Sequence, residues 1–381
     1  MTRRLIAATI CLAILLCTAV AIAAGGTGGD GLISKSYLDG TYTADVLSQA
    51  EEQIQESHDA LYQTAASQLE QKNASYLMQA GLPAGEGNYH AAFADIRVKQ
   101  GDRIFIGTGS GFLLLAGDAE LSCEGKKTLD MSNGWEKGTG ALTVGHRYLV
   151  VEDTTATVTV TSPTAVLSLE GYYTVESGDG VDYNALADAL KQLGLFQGSG
   201  TGYGSGYDLE EAPTRIQALI MFLRILGEEK AALATSEICP FTDVPAWCQP
   251  YVAYAYAQGL TKGVDQEGMR FGTAETVTAA QFMTFILRAL GYKDEGEAPD
   301  FTWDTAIQRA QELGVVTAGE SQLLQTQPFL RAHVVYFCYF ALDASEKSGT
   351  GTLLDRLISS GALDADTVAA VRSSVQVSRI P

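Results

Sequence analysis

One pattern of apolar residues occurs three times in the C-terminal half of the chain, and it constrains the fold more than any other feature of the sequence. Residues 214–227 read TRIQALIMFLRILG and residues 278–291 read TAAQFMTFILRALG, so the two align without a gap. Residues 330–343 read LRAHVVYFCYFALD and keep the same apolar spacing. Because a single helix pair cannot bury its apolar face alone, we expect three pairs to stack around a shared core.

Each long helix is preceded by a shorter predicted helix and a loop that contains glycine. The copies are predicted over 181–228, 240–292 and 300–344, and together they predict an all-α bundle over 181–345. A final amphipathic helix and tail are predicted over 350–381. We expect this last helix to cap the bundle.

The first 82 residues divide into three predicted segments. Basic residues, an apolar stretch and small residues predict a cleaved secretory signal over 1–24, with a retained membrane anchor as the alternative. A flexible glycine-rich leader follows over 25–42. One long helix is predicted over 43–82, because glycine and proline are absent until its end.

The long helix carries an incomplete heptad. Leu47, Ile54 and Leu61 are seven residues apart, but Gln68 takes the next position of the seam. Apolar residues at this spacing are typical of coiled coils. The interruption leaves two alternatives open, a coiled coil and a helix packed on its own chain.

In residues 88–176, apolar and polar side chains alternate with a period of two. In the stretch 156–161, ATVTVT, alanine and valine alternate with threonine, which predicts a half-buried antiparallel strand. Several such runs in about 80 residues predict a small antiparallel β sandwich or barrel. The predicted fold class is therefore multidomain α + β, with a long N-terminal helix, a β domain and an all-α repeat bundle.

A formal net charge of -20 excludes several partners. Nucleic acid and anionic lipid both bind basic surfaces, so a chain this acidic is predicted to bind neither. No segment after the signal is apolar enough and long enough to span a bilayer. We therefore expect an exported protein with no nucleic-acid partner and no membrane contact after signal cleavage.

The sequence shows no catalytic or metal-binding pattern. Its four histidines lie on different predicted elements, without metal-ligand spacing or a readable Ser-His-Asp order. The carboxylates of the β region form no convincing glycosidase pair; they are Asp118, Glu120, Glu124 and Asp130. We predict no enzyme activity, no cofactor and no metal, and keep a wall-active carbohydrate enzyme in the β domain as a rival.

Four cysteines remain once the predicted signal is removed: Cys123, Cys239, Cys248 and Cys338. They are too few for a disulfide-built scaffold and lack metal-ligand spacing. Cys239 and Cys248 flank the segment PFTDVPAW and are candidates for a disulfide. Two small buried thiols are the alternative.

The middle copy carries a specific resemblance. The segment FTDVP over 241–245 is followed by Trp247, Tyr251 and Gly259, and then by the long helix over 278–291. This order resembles the S-layer homology (SLH) repeat, in which Phe-Ser-Asp-Val-Pro, a Trp, a helix and a Gly precede a helix that opens with Thr-Arg-Ala-Glu. The first and third copies are similar but more divergent.

The resemblance implies both a fold and a role. SLH repeats arrange their helices with three-fold symmetry and expose grooves that hold secondary cell-wall polysaccharide, often pyruvylated. They attach secreted proteins non-covalently to the wall of Gram-positive Firmicutes. The resemblance therefore implies a non-catalytic protein of the cell wall or S-layer. The alternative is a degenerate bundle that keeps only the fold and acts as a scaffold through self-association.

An arginine at a helix start suits an acidic sugar. Its guanidinium can form two hydrogen bonds with a carboxylate, such as that of a pyruvate ketal, and the first N–H groups of the helix add positive charge. Trp247 and Trp303 either form apolar walls for a sugar face or lie in the core. The resemblance predicts polysaccharide contacts by Thr214, Arg215, Gln217, Asp243, Trp247, Trp303 and Arg331.

The copies also depart from the family pattern. Ala279 replaces the arginine in the second copy, and Leu330 replaces the threonine in the third. The acidic position becomes Gln217, Gln281 and His333. At most two of the three grooves therefore keep the charged donor.

Several of the singled-out side chains have structural alternatives. Asp243 is suited to capping the turn or helix that follows it. Arg224 and Arg288, near the ends of their helices, are predicted to tie each helix end to a neighbouring loop. Arg215 could also be a solvated residue at a helix start.

Overall fold

The computed structural model describes residues 42–79, 88–123, 125, 128–152, 154–200, 202–265 and 267–381. The predicted signal over 1–24 lies outside these residues, as does all but the last residue of the predicted leader over 25–42. The chain divides into two compact units, 1–85 and 86–381. A helix, an antiparallel sheet and a helical region follow one another along the chain, which confirms the predicted α + β class.

The first unit contains one long helix, α1, over Thr43–Gln79. The heptad residues Leu47, Ile54 and Leu61 are exposed by 57%, 68% and 70%. Residues 80–82, the predicted end of this helix, lie outside the described residues. Within the described residues of the first unit, no second helix or strand covers these apolar side chains, and both alternatives stay predictions.

The second unit begins with an antiparallel sheet that has ten strands in the described residues. The strands are β1 Asn88–Lys99, β2 Arg103–Ile106, β3 Gly111–Ala116, β4 Ala119–Ser122, β5 Thr128–Asp130, β6 Trp135–Lys137, β7 Gly140–Ala141, β8 Arg147–Val150, β9 Ala156–Val160 and β10 Thr164–Glu176. Their order is β6-β5-β8-β3-β10-β2-β9-β4-β7, and β1 also pairs with β10.

The predicted β region is thus one sheet that curls around its own apolar core. The long strand β10 pairs with β3 near its start and with β2 at its end, which turns the sheet. In β9, Ala156, Val158 and Val160 are buried, as their alternation with threonine predicts.

The helical region follows the sheet within the same unit. Its helices are α2 Tyr183–Gln192, α3 Arg215–Leu226, α4 Glu229–Leu233, α5 Gln249–Ala257, α6 Ala279–Ala289, α7 Ala306–Glu312, α8 Ala318–Thr326, α9 Arg331–Ala341, α10 Leu353–Ser359 and α11 Ala365–Ser374. Among the described residues, no helix combines the length and apolarity that a membrane crossing requires.

The repeated helices α3, α6 and α9 share one apolar core. The rings of Phe222 in α3 and Phe285 in α6 stack with their centroids 4.8 Å apart. On α9, the ring of Tyr336 lies 5.8 Å from that of Tyr183 in α2. The shared core that the repeated apolar pattern predicts is therefore present.

Backbone hydrogen bonds link the start of a long helix to the loop of another repeat. The N–H of Arg215 donates to the carbonyl of Glu275 at 2.7 Å. The N–H of Arg331 donates to the carbonyl of Glu211 at 2.8 Å. The first copy thus contacts the second, and the third contacts the first, in the same way.

Arg356 of α10 connects the C-terminal part of the chain to two of the long helices. Its guanidinium donates to the carbonyl of Leu226 at 3.2 Å and to that of Ala289 at 3.0 Å, and it pairs with Glu346. A cation favours the C-terminal end of a helix, where the last carbonyls lack intrahelical partners. Helix α10 therefore caps the bundle, as predicted, although the single final helix predicted within 350–381 is in fact two helices, α10 and α11.

Replacing Arg356 with alanine is expected to lower the free energy of unfolding by about 2 kcal/mol, because two charge-assisted hydrogen bonds to helix ends are lost. Urea denaturation followed by circular dichroism measures this change. Arg309→Ala is the matched control, since Arg309 pairs with Glu312 at the surface and such pairs contribute about 0.5 kcal/mol. Equal losses in the two variants would contradict the capping role.

Candidate binding grooves of the helical bundle

The first groove is a cleft of about 600 Å³. Its floor is formed by α3, from Thr214 to Arg224, and its rim includes Trp247 and Tyr251. Arg331, from the third repeat, closes one side. All three repeats therefore contribute to this cleft.

Arg331 is 6% exposed but lines the first groove. Its Nε donates to the carbonyl of Tyr207 at 3.1 Å, and its guanidinium lies 5.6 Å from the ring centroid of Phe196. Burial lowers the pKa of Arg331, although nearby carboxylates, Asp208 first, favour the charged form. An arginine remains a cation at neutral pH.

The second groove is a cleft of about 540 Å³. It is lined by Gln281 and Arg288 of α6, by Trp303 of the third repeat, by Lys262 and by Arg215 of the first repeat. Like the first groove, the second is thus formed by one long helix, a tryptophan from the next repeat and an arginine from the remaining repeat.

Arg215 is half-buried beside the second groove. Its guanidinium lies 5.4 Å from the ring centroid of Phe271, and its Nε is buried without a hydrogen-bond partner among the described residues. Burial lowers its pKa; the carboxylate of Glu275 opposes this shift, and the charge of Arg288 adds to it.

Neither groove arginine is neutralised by a carboxylate in direct contact. Within the described residues, no ion pair includes Arg215 or Arg331. By contrast, Arg224 pairs with Glu229 at 2.8 Å. Each of these two arginines is therefore a cation beside an aromatic ring, and among the described residues neither has an ion-pair partner.

The two tryptophans lie at the grooves and not in the core. Trp247 lines the first groove and Trp303 the second, and each is 63% exposed. The alternative of a core position is therefore wrong for both. Exposed indole rings at a cleft can pack against the apolar face of a sugar.

Thr214 and Gln217 line the first groove, but their main role is to cap α3. The Thr214 N–H donates to Oε1 of Gln217 at 2.9 Å, and the Gln217 N–H donates to Oγ1 of Thr214 at 3.5 Å. Thr278 and Gln281 form the same capping box on α6. The Thr-x-x-Gln spacing is a known signature of this box, which the sequence interpretation missed.

Asp243 belongs to a loop and not to either groove. Its Oδ1 accepts from the N–H of Phe271 at 2.7 Å, and its Oδ2 accepts from the N–H of Gly272 at 2.8 Å. Partial burial opposes ionisation of this carboxyl, but these two hydrogen bonds outweigh it and lower the pKa of Asp243. Asp243 thus ties its own loop to the backbone of residues 271 and 272, and its contact with a ligand stays a prediction.

Arg288 ties the end of α6 to loops, as predicted, whereas Arg224 ties the end of α3 to the first residue of helix α4. The Nη2 of Arg224 reaches Glu229. The guanidinium of Arg288 donates to both carboxylate oxygens of Asp294, at 2.8 and 2.7 Å, and to the carbonyl of Leu260 at 2.7 Å. These contacts fix the far end of each groove.

The predicted disulfide between Cys239 and Cys248 is not formed. All four cysteines of the described residues are free thiols. Cys248 is buried, and burial raises its pKa to about 11. The alternative of small buried thiols holds for Cys248, whereas Cys239 is only partly buried.

The described residues contain no group of three or more metal-ligating side chains. In the sheet, Nδ1 of His146 lies 2.9 Å from Oδ2 of Asp130. Burial of Asp130 opposes its ionisation, but the hydrogen bonds from His146 and from the turn amides outweigh it and lower its pKa. This pair fixes the turn after β5.

No protein-family model matches the chain. Among curated proteins, a "Cell surface protein" of Thermoanaerobacter kivui is 32% identical over 142 residues, covering 36% of this chain and 17% of the relative. A "Middle cell wall protein" of Brevibacillus brevis is 28% identical over 158 residues, covering 40% of this chain and 14% of the relative. The chain therefore spans less than a fifth of either relative.

Solved structures resemble the chain only weakly. Procruciferin, the 11S globulin of Brassica napus, is 9% identical with a TM-score of 0.16, covering 26% of this chain and 27% of that chain. The coconut allergen cocosin is 15% identical with a TM-score of 0.14, covering 28% of this chain and 27% of that chain. Such scores support no argument about fold or function.

Proposed function

We propose that this chain is a non-catalytic cell-surface protein whose helical bundle binds an acidic cell-wall polysaccharide through its two grooves. One observation carries the proposal: in the part of the chain that the structure describes, an arginine without a carboxylate partner and an exposed tryptophan occur together at two equivalent places. A guanidinium of this kind pairs with a carboxylate through two parallel hydrogen bonds. The ligand class is therefore a sugar chain that carries carboxylates, such as pyruvylated polysaccharide.

The repeat pattern and the relatives support the same role. The three copies resemble SLH repeats, and the arrangement of one groove from parts of all three repeats suits that resemblance. The two curated relatives are named as a cell-surface and a cell-wall protein of other bacteria. A location on the wall or S-layer of a Gram-positive cell follows as part of the proposal.

Sedimentation with purified walls tests this function. The protein is mixed with native wall sacculi and, in parallel, with sacculi stripped of secondary polysaccharide by acid. We expect the protein to pellet with native walls and to stay in solution with stripped ones, because the polysaccharide carries the carboxylates. Equal pelleting with both preparations would contradict polysaccharide binding. Pelleting without any wall, through self-association, would favour the scaffold alternative.

A further inference from the structure

The surface formed by α9 and residues 314–320 is equivalent to the first two grooves, and we call it the third groove. It differs from the other two in the residues of its long helix. Phe340 of α9 stands where α3 has Arg224 and α6 has Arg288. Ala279 stands where the other copies open their long helix with arginine. The third groove therefore lacks both of its repeat-derived cations.

Arg379, from the segment 375–381, takes the place of the missing helix-end arginine. Its guanidinium lies 5.4 Å from the ring centroid of Phe340 and donates to the carbonyl of Val315 at 2.7 Å. Val315 follows Gly314 as Leu260 follows Gly259, and Arg288 donates to the Leu260 carbonyl in the second copy. The same carbonyl position is thus satisfied by an arginine in both copies.

The third groove also carries a buried acid that holds this arginine. Glu320 is 0% exposed, and its two oxygens accept from Nε and Nη2 of Arg379 at 2.8 and 2.6 Å. The hydroxyl of Tyr336 donates to the same carboxylate at 2.7 Å. A buried carboxylate is costly unless it is paired, so Glu320 favours a cationic occupant such as the Arg379 guanidinium.

Backbone contacts fix the rest of the segment. The carbonyl of Ile380 accepts from Oγ1 of Thr317 at 2.7 Å, and the N–H of Ile380 donates to the hydroxyl of Tyr336 at 2.7 Å. The carbonyl of Pro381 accepts from the N–H of Gly319 at 2.8 Å. A Cβ at Gly319 would lie 2.1 Å from the Pro381 oxygen, so glycine is needed for this close approach.

We infer that the third groove is a peptide site for an arginine followed by apolar residues, and that its occupant is the chain's own segment 375–381. The bidentate contact to Glu320 recognises the arginine, and the Thr317 and Gly319 contacts recognise the backbone after it. The third groove is closed to glycan. This last statement, that two grooves and not three take acidic sugar, rests on the proposed function.

Binding of the segment as a free peptide tests the site. A chain that ends at Ser374 is mixed with labelled peptide VQVSRIP, residues 375–381, and fluorescence anisotropy is recorded. We expect saturable binding by the shortened chain, none by the full chain, and an affinity at least about a hundredfold lower for VQVSAIP, which lacks the three hydrogen bonds of the guanidinium. A shortened chain that is folded by circular dichroism but binds neither peptide, or binds both equally, would overturn the inference.

A full-chain variant decides the question if the shortened chain does not fold. Gly319→Ala places a methyl group against Pro381. Gln322→Ala is the control, because it changes an exposed residue of the same helix. Both substitutions raise the helix propensity of α8, so only the clash with Pro381 distinguishes them. Hydrogen exchange of residues 375–381 is followed by mass spectrometry. We expect exchange to rise about tenfold or more only in Gly319→Ala. Equal protection in both variants would show that the segment does not depend on the groove. Neither the peptide-binding experiment nor the hydrogen-exchange experiment involves glycan, so both are independent of the wall-binding test.

Discussion

Replacing both Arg215 and Arg331 with alanine is expected to abolish binding to native walls. Charge-assisted hydrogen bonds contribute about 1.5–3 kcal/mol each, so losing one arginine should weaken its groove about 10–100-fold. The two grooves lie on one chain and can engage one polysaccharide together, which multiplies their affinities. Each single variant should therefore retain partial binding, and the double variant almost none. Sedimentation at increasing wall concentration measures all three.

The shape of the guanidinium can be separated from its charge. Arg215→Lys with Arg331→Lys keeps both cations but removes the planar fork, so we expect an intermediate loss of binding. Arg103→Ala is the matched control, because Arg103 pairs with Glu176 on the sheet, away from both grooves. Undiminished binding by the double alanine variant would exclude the grooves as the binding sites. An equal loss in the Arg103 variant would point to net charge instead.

The repeat architecture could be predicted because apolar periodicity and helix-start chemistry are local properties. The long helices over 214–227, 278–291 and 330–343 fall on α3, α6 and α9, and they share a core as expected. The positions of Arg215 and Arg331 beside clefts follow from the same pattern, since the first turn of each helix meets another repeat. The alternation of Thr and Val likewise placed the buried face of β9 correctly.

Other features depend on contacts that no local pattern encodes. Composition cannot decide whether Trp247 and Trp303 are buried, because a tryptophan suits a core as well as a cleft. Arg379 lies outside the repeats, so periodicity gives no reason to place it against Glu320. The capping roles of Thr214 and Gln217 are different, because the Thr-x-x-Gln signature of a capping box is a local sequence pattern. These two roles could therefore be predicted from the sequence.

His333 gives the third repeat a titratable group at a position where the other two copies carry glutamine. It occupies the position of Gln217 and Gln281, and its Nδ1 accepts from the N–H of Leu330 at 3.0 Å. The side chain is 1% exposed, and its Nε2 is buried without a hydrogen-bond partner among the described residues. Burial lowers the pKa of His333 from 6.5 to about 4. The folded chain therefore binds this proton more weakly than the unfolded chain does.

Acidification is expected to destabilise the bundle in part through His333. Because the folded pKa lies below the unfolded one, the contribution of neutral His333 is complete above pH 6.5 and is lost as the pH falls towards 4, by about 3 kcal/mol in all. Urea denaturation at pH 7 and at pH 4 measures this difference. His333→Gln keeps an acceptor for the Leu330 N–H but cannot titrate. Between pH 7 and pH 4 it should therefore lose about 3 kcal/mol less stability than the unmodified chain does. His58→Gln, on the exposed surface of α1, should behave as the unmodified chain. If His333→Gln loses as much stability between the two pH values as the unmodified chain, carboxylates and not this histidine govern the acid response.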